Sequence, residues 1–138
     1  MLMAEFMTAV RYELPIKVFV NNNSSLGQIL WEQMVLGYPE FGVRYSRAAN
    51  FAPWAEACGG LGIRVEKAGD LESAVGEALS YRGPALVDVV VNAEEPPMPP
   101  KVSYDQAKGF ATAFLRGQPN RATIASTLFR DKLSQLKA

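Results

Sequence analysis

Apolar positions recur at helical spacing over residues 2–13, where Leu2, Met3, Phe6, Ala9 and Val10 stand opposite Glu5, Arg11 and Glu13. This spacing predicts a helix. Pro15 forces an exit, because the residue before a proline is pushed out of the helical region. The pattern then changes. Ile16-Lys17-Val18-Phe19-Val20 is apolar at nearly every position, as in a parallel strand buried on both faces. Asn21-Asn22-Asn23-Ser24-Ser25 ends it in a polar turn. A second helix is predicted from Leu26 to about Leu36, with Leu26, Ile29, Leu30 and Met34 on one side.

Residues 37–49, with glycines, a proline and mixed charges, read as loop. Asn50 is an N-cap for a third helix carrying Phe51, Trp54, Ala55 and Cys58, and Gly59-Gly60 ends it. A short strand, Ile63 to Glu66, follows. Asp70 is expected to cap a fourth helix that turns Leu71, Ala74, Val75, Ala78 and Leu79 inward. Gly83-Pro84 breaks it, and Ala85 to Val91 is a second apolar strand interrupted only by Asp88. Strands joined through helices pair in parallel. The fold class is therefore α/β, a partial open parallel sheet with helices on both faces.

The end of the chain differs. Glu94-Glu95-Pro96-Pro97-Met98-Pro99-Pro100 reads as a stiff, solvated connector. Ser103 with Gln106 forms a capping box for a helix bearing Tyr104, Ala107, Phe110, Ala111 and Phe114. Gly117 to Asn120 turns the chain into a last helix over 121–136, with Ala125, Leu128, Phe129, Leu133 and Leu136 along one face. The expected organisation is an α/β part over 1–93, a connector over 94–102 and a C-terminal helical tail over 103–138. Three strands are few for this class, and the first helix has no strand before it. The pattern implies a piece of a larger sheet.

Composition narrows the chemistry. Of 138 residues, 49% are hydrophobic and 20% charged, which suits one soluble globular domain. Fourteen acidic residues balance fourteen basic ones, so no net field gathers nucleic acid or an anionic surface. Cys58 is the single cysteine, which excludes an intrachain disulfide and suits a cytoplasmic location. The chain has no histidine, which removes histidine-based triads and imidazole zinc sites. No apolar run approaches the roughly 20 residues of a membrane span.

Ligands of open α/β sheets sit outside the carboxyl ends of the strands, where Asn21 to Gly27 falls. An amide oxygen suits magnesium, and the start of the following helix suits phosphate oxygens. Composition alone leaves a plain polar turn as the simpler reading, since Asn and Ser are favoured there anyway. The wider sequence adds a resemblance. Leu14-Pro15-Ile16-Lys17-Val18-Phe19-Val20-Asn21-Asn22-Asn23-Ser24-Ser25-Leu26-Gly27 resembles the second half of the thiamine-diphosphate motif of the pyruvate oxidase and acetolactate synthase group. The similarity continues through Trp31-Glu32, Asn50-Phe51-Ala52, Gly62-Ile63-Arg64-Val65, Gly83-Pro84-Ala85-Leu86-Val87-Asp88-Val89 and Gln106-Ala107-Lys108-Gly109-Phe110. It covers about residues 1 to 115, and its tail leans toward quinone-linked, pyruvate oxidase-like members.

The resemblance implies thiamine diphosphate and Mg2+ as cofactors, with FAD in an oxidase parent, and pyruvate or a related 2-oxo acid as substrate. A bulky residue followed by glycine fixes the family's register, so Leu26-Gly27 selects Asn23 as the magnesium amide, with Asn22 second. The carbonyl ligand then falls on Ser25. Gln28 would face the substrate end of the thiazolium, and Glu32 corresponds to a carboxylate near the reacting centre. Asn22, Asn23, Ser25, Leu26, Gly27 and Gln28 thus form the implied cofactor segment. Asn21 departs from the pattern, which has an apolar residue there. The 138 residues contain no Gly-Asp-Gly, the half of the motif that carries the magnesium carboxylate, nor the activating glutamate of the family. This implies the C-terminal fragment of a pyruvate-oxidising enzyme, inactive alone. An acetolactate synthase-type carboligase fragment, and a non-catalytic interaction module or truncated gene product, are the alternatives. Partners would be copies of the chain or full-length subunits.

Other features have simpler readings. Cys58 on an apolar helix face is a small core residue. Gly59-Gly60-Leu61-Gly62 follows a helix and precedes a strand, the reverse of a dinucleotide fingerprint. Asp88 in an apolar strand needs buried partners or caps a neighbouring loop. Helix 121–136, with Arg121, Arg130, Lys132 and Lys137 around its stripe, permits weak contact with the inner membrane, but packing on the same or a partner subunit is the simpler reading.

Overall fold

The structure is a computed structural model that describes residues 3–95 and 103–135, with residues 131–135 defined by backbone alone. Its elements in chain order are α1 (Glu5–Arg11), β1 (Lys17–Asn22), α2 (Gly27–Val35), α3 (Ala52–Ala57), β2 (Leu61–Val65), α4 (Leu71–Ser80), β3 (Ala85–Val90), α5 (Tyr104–Leu115) and α6 (Arg121–Gln135). The chain divides into two units, residues 1–23 with 47–91 and residues 24–46 with 92–138. The class is α/β, as the pattern predicts.

The first unit is built around β3, whose apolar run is flanked by parallel neighbours on both sides in the order β1-β3-β2. Successive side chains of a strand point to opposite faces. Ala85, Val87 and Val89 accordingly join Leu61, Ile63, Val65, Ala74 and Ala78 in one cluster, under α4. Leu86 joins Phe6, Val18, Val20, Trp54 and Ala55 in another, on the α1 and α3 side. Phe6 and Trp54 meet there with ring centroids 5.3 Å apart. Helix α3 lies so close to β2 that a Cβ on Gly62 would stand 2.0 Å from the Ala52 carbonyl oxygen. Only glycine fits.

Several local expectations are corrected. Strand β1 is not buried on both faces: among the described residues it pairs only with β3, and Phe19 is 45% exposed. Met3, Phe6, Ile16, Val18, Val20 and Trp54 line an open apolar groove of about 340 Å³. Leu71 and Leu79 of α4 are exposed rather than inward, because the helix approaches the sheet through its small residues Ala74 and Ala78. Asp70 occupies the N-cap position but makes no side-chain cap. A single 3₁₀ turn, Ala68–Asp70, leads into α4, leaving Asp70 in a helical conformation rather than the extended one a capping side chain needs.

The second unit packs Leu30, Trp31, Met34 and Val43 against Phe110, Ala113 and Ile124. Trp31 and Phe110 stack at 6.3 Å. Helices α2 and α5 touch where a Cβ on Gly109 would fall 1.8 Å from the Val35 carbonyl oxygen. Leu26 and Ile29 are exposed, so the inward face of α2 is rotated toward Trp31 relative to the predicted stripe. The capping box is present: Ser103 Oγ accepts from the Gln106 amide at 3.2 Å, and Gln106 Oε1 accepts from the Ser103 amide at 2.9 Å. Tyr104, Ala107 and Ala111 nonetheless face outward, while Phe110 and Ala113 are buried. In α6 Ile124 is buried, whereas Ala125 and Phe129 are exposed. The side chain of Leu133, residue Leu136 and the proline run 96–100 lie outside the described residues.

Glu94 is not a solvated connector residue. Arg44 forks between Glu40 and Glu94, both at 2.8 Å, and Asn120 Nδ2 donates to Glu94. Buried Gln118 accepts from the Glu40 amide and donates to its carboxylate. Hydrogen bonds to Glu40 and then Glu94 hold the Arg44 guanidinium above the ordinary arginine value, against the opposing effect of burial.

Candidate functional site

Strand β1 does not stop at Val20 but runs on through Asn21 and Asn22, with Asn22 level with Val90 of β3. Two-residue alternation puts Asn22 on the same face as Val20, whose register partner is Asp88. Asp88 is fully buried. Its Oδ1 accepts from Asn22 Nδ2 at 2.8 Å, and its Oδ2 accepts from Arg64 Nη1 at 2.7 Å and from the Phe51 amide at 3.0 Å. Asn22 Nδ2 donates a second time, to the Ala49 carbonyl at 2.8 Å. A buried carboxylate is tolerable only when paired and hydrogen-bonded, and these contacts supply both. Arg64 also meets Glu66 at 2.8 Å. That bond, followed by the one to Asp88, raises the guanidinium above its usual value while desolvation opposes them.

The same carboxylate serves the start of α3. Phe51 stands at the N-cap without a side-chain cap of its own, and its amide is taken by Asp88 from across the sheet. Asn50 accepts from the Ala52 amide at 3.3 Å, so it contributes at the helix start one residue earlier than the N-cap. Asp88 therefore realises both roles considered for it, paired in a central strand and capping a neighbouring loop.

Asn23, half-buried, closes the first unit, and Ser24 follows with a left-handed backbone, φ 55°. Within the second unit the Ser24 carbonyl accepts from the Tyr45 amide at 3.1 Å, and the Leu26 amide donates to the Val43 carbonyl at 2.8 Å. Half-buried Ser25 forms an antiparallel bridge with Arg44. These bonds fix the chain as it enters the nine-residue helix α2, which starts at Gly27. Leu26 at its N-cap offers no side-chain acceptor, and the first turn carries no acidic residue. Gln28 and Glu32, both exposed, come together one turn apart, Nε2 to Oε1 at 3.4 Å. Trp31, next to Glu32, points the other way into the core. Cys58 packs beside the Phe6 cluster as a core residue.

A magnesium diphosphate would call for hard oxygen donors and N–H groups. Asn23 carries a hard amide oxygen, Ser25 a main-chain carbonyl, and the α2 start adds amides with the positive end of a helix. Among the described residues no three His, Cys, Asp or Glu side chains gather as a metal site. The sequence pattern did not disclose the Asn22–Asp88–Arg64 network. Its signal was a pair of opposite charges, each interrupting an otherwise apolar strand, two residues after Leu86 and Gly62 respectively.

Comparison with known proteins gives the class. The family described as thiamine pyrophosphate enzyme, C-terminal TPP binding domain, matches residues 1–89. The chain belongs to this family. The Bacillus subtilis protein YdaP, named as thiamine pyrophosphate-containing, is 44% identical over 116 residues, 84% of this chain and 20% of that protein. The acetolactate synthase large subunit of Porphyra purpurea is 33% identical over 139 residues, 94% of this chain and 22% of that subunit. The mitochondrial acetolactate synthase catalytic subunit of Saccharomyces cerevisiae is 29% identical, covering 72% of this chain and 14% of the subunit. The chain thus spans about a fifth or less of the length of these curated relatives. Among the described residues no helix is long and apolar enough to cross a membrane.

Proposed function

We propose that this chain supplies the magnesium-diphosphate half of a thiamine-diphosphate site in an enzyme acting on pyruvate or a related 2-oxo acid. The observation that carries the reading is the family match over residues 1–89, which contains the whole Asn21–Gln28 segment. In this reading the Asn23 amide oxygen and the Ser25 carbonyl hold Mg2+. The Gly27 and Gln28 amides at the start of α2 meet diphosphate oxygens. Gln28 and Glu32, paired on the open side of α2, lie toward the substrate. The cofactor, when bound, supplies the carbanion chemistry that decarboxylates a 2-oxo acid. The chain's own residues orient its diphosphate end.

The pyruvate oxidase-like lean of the tail favours decarboxylation coupled to oxidation, with FAD in the complete enzyme. The acetolactate synthases among the relatives favour a second reading, carboligation of two 2-oxo acids. Both readings share the magnesium-diphosphate site. In this reading an anionic magnesium ligand and the pyrimidine-binding half would be supplied by a longer subunit, since an amide and a main-chain carbonyl are neutral donors. We therefore expect weak cofactor binding and no turnover of pyruvate by the 138 residues alone, and association with copies or longer subunits.

Thermal unfolding with and without thiamine diphosphate and Mg2+ tests the reading, since a ligand of the native state raises the midpoint. A rise that requires both cofactor and metal is expected. An unchanged midpoint up to millimolar cofactor would overturn it, and sustained decarboxylation of pyruvate would refute the expected lack of turnover.

A further inference from the structure

We propose that Asp88 is a positioning residue for the magnesium-diphosphate site: it locks Asn22, and through Asn22 the backbone from which Asn23 projects. The inference rests on the function proposed above and adds a residue outside the cofactor segment. Four observations carry it. Asp88 is fully buried in the central strand, where a polar side chain has no packing purpose that an apolar one would not serve better. Its two oxygens are divided by task, Oδ1 to Asn22 and Oδ2 to Arg64 and the Phe51 amide. Asn22 is itself buried, and its amide nitrogen donates both to Asp88 and to the Ala49 carbonyl. Asn22 is also the last residue of β1, with Asn23 directly following.

The logic is that of outer-shell support. A ligand on a turn has many conformers, and a metal selects one. Fixing the preceding residue from three directions, through the strand ladder, the Ala49 carbonyl and Asp88, removes that freedom before the metal arrives. Arg64 then has a definite task. It balances the buried carboxylate, so that Asp88 remains an acceptor for Asn22 without leaving a lone charge in the sheet. The arrangement also separates the neighbouring asparagines by role, Asn22 holding the scaffold and Asn23 offered to the metal.

The test uses the 138-residue chain, labelled for amide NMR. Asp88→Asn is nearly isosteric: with its oxygen kept on Arg64 and the Phe51 amide, it places an amide donor against the Asn22 Nδ2 donor. Ala78→Gly, in α4, serves as a control that lowers stability elsewhere. At temperatures matched to equal distance below each Tm, Asp88→Asn is expected to speed hydrogen exchange at Asn22 and Asn23, and Ala78→Gly is not. Manganese ion with thiamine diphosphate is then titrated as a paramagnetic probe. Broadening centred on Asn23 is expected in the unaltered chain, and Asp88→Asn should weaken it about tenfold to a hundredfold, the usual scale for loss of an outer-shell partner. Asn22→Ala leaves Asp88 its other two bonds and tests the same link should Asp88→Asn fail to fold. Combining the two variants should add little.

Unchanged exchange and affinity in both variants would overturn the proposal. Broadening at Asn23 weakened equally by Ala78→Gly would overturn it as well, since Asp88 would then act only through stability. If the unaltered chain shows no broadening at Asn23, the cofactor reading fails instead, and with it the task assigned to Asp88. The exchange data still report whether Asp88 orders the end of β1, so the two failures are distinguishable.

Discussion

Asp88 and Gly62 show how single residues set the site end of the first unit. Gly62 lets α3 lie against β2, and the start of α3 delivers the Phe51 amide to Asp88. Gly62→Ala would drive a methyl to 2.0 Å from the Ala52 oxygen, and the helix must move. We expect a loss of about 1–3 kcal/mol or more, as for other overpacked positions. Urea unfolding would read it as a lower midpoint at an unchanged slope. An unaltered midpoint would show that α3 shifts freely. The sequence marked Asp88 as a charge needing partners but could not name them. Arg64 lies 24 residues away and Asn22 lies 66, and a pattern read along the chain carries no information on such pairs.

At the scale of elements, what was legible was what is local. Helix and strand identities follow from period and from breakers such as Pro15 and Gly83-Pro84. The Ser103–Gln106 capping box was readable because both bonds lie within three residues of chain. Ser103→Ala should destabilise the second unit by about 1 kcal/mol and shorten amide protection in the first turn of α5. Equal protection in the variant would mean that the turn is held from elsewhere. Buried faces were less legible. Hydropathy favours Leu71 and Leu79 of α4 over Ala74 and Ala78, yet close approach to the sheet selects the alanines. The predicted stripe likewise turns Leu26 and Ile29 inward, whereas Trp31 takes the core position.

Loop 37–46 is held by charge as well as by apolar packing. Its form depends on Arg44, which holds Glu40 and Glu94 within the second unit. Arg44→Met would leave two largely sheltered carboxylates without their cation. The loss expected is about 2 kcal/mol, between that of surface and buried pairs. Added salt should recover part of it. A variant as stable as the parent in low salt would show that the cluster contributes no net stability. The sign of the pH effect follows from the raised guanidinium: its contribution is fully present below the ordinary arginine value and fades only as pH rises beyond it. Titration of Arg44 therefore leaves stability flat around neutrality.

For the whole molecule, the resemblance read from the cofactor segment and its companions agrees with the family match over residues 1–89. The fold class was legible because two apolar strand runs separated by helices admit few arrangements. The grouping of residues 24–46 with 92–138 was not, because the contact of Leu30 and Met34 with Ile124 spans some ninety residues of chain and leaves no periodic trace. The central claim is that the Asn21–Gln28 segment takes a magnesium diphosphate.

The most direct test is calorimetric titration of thiamine diphosphate into the chain with Mg2+, without it, and in the Asn23→Ala variant. The account predicts binding that depends on the metal and weakens when the amide ligand is removed. Absence of binding by the unaltered chain at millimolar cofactor, or equal affinity in Asn23→Ala, would contradict it.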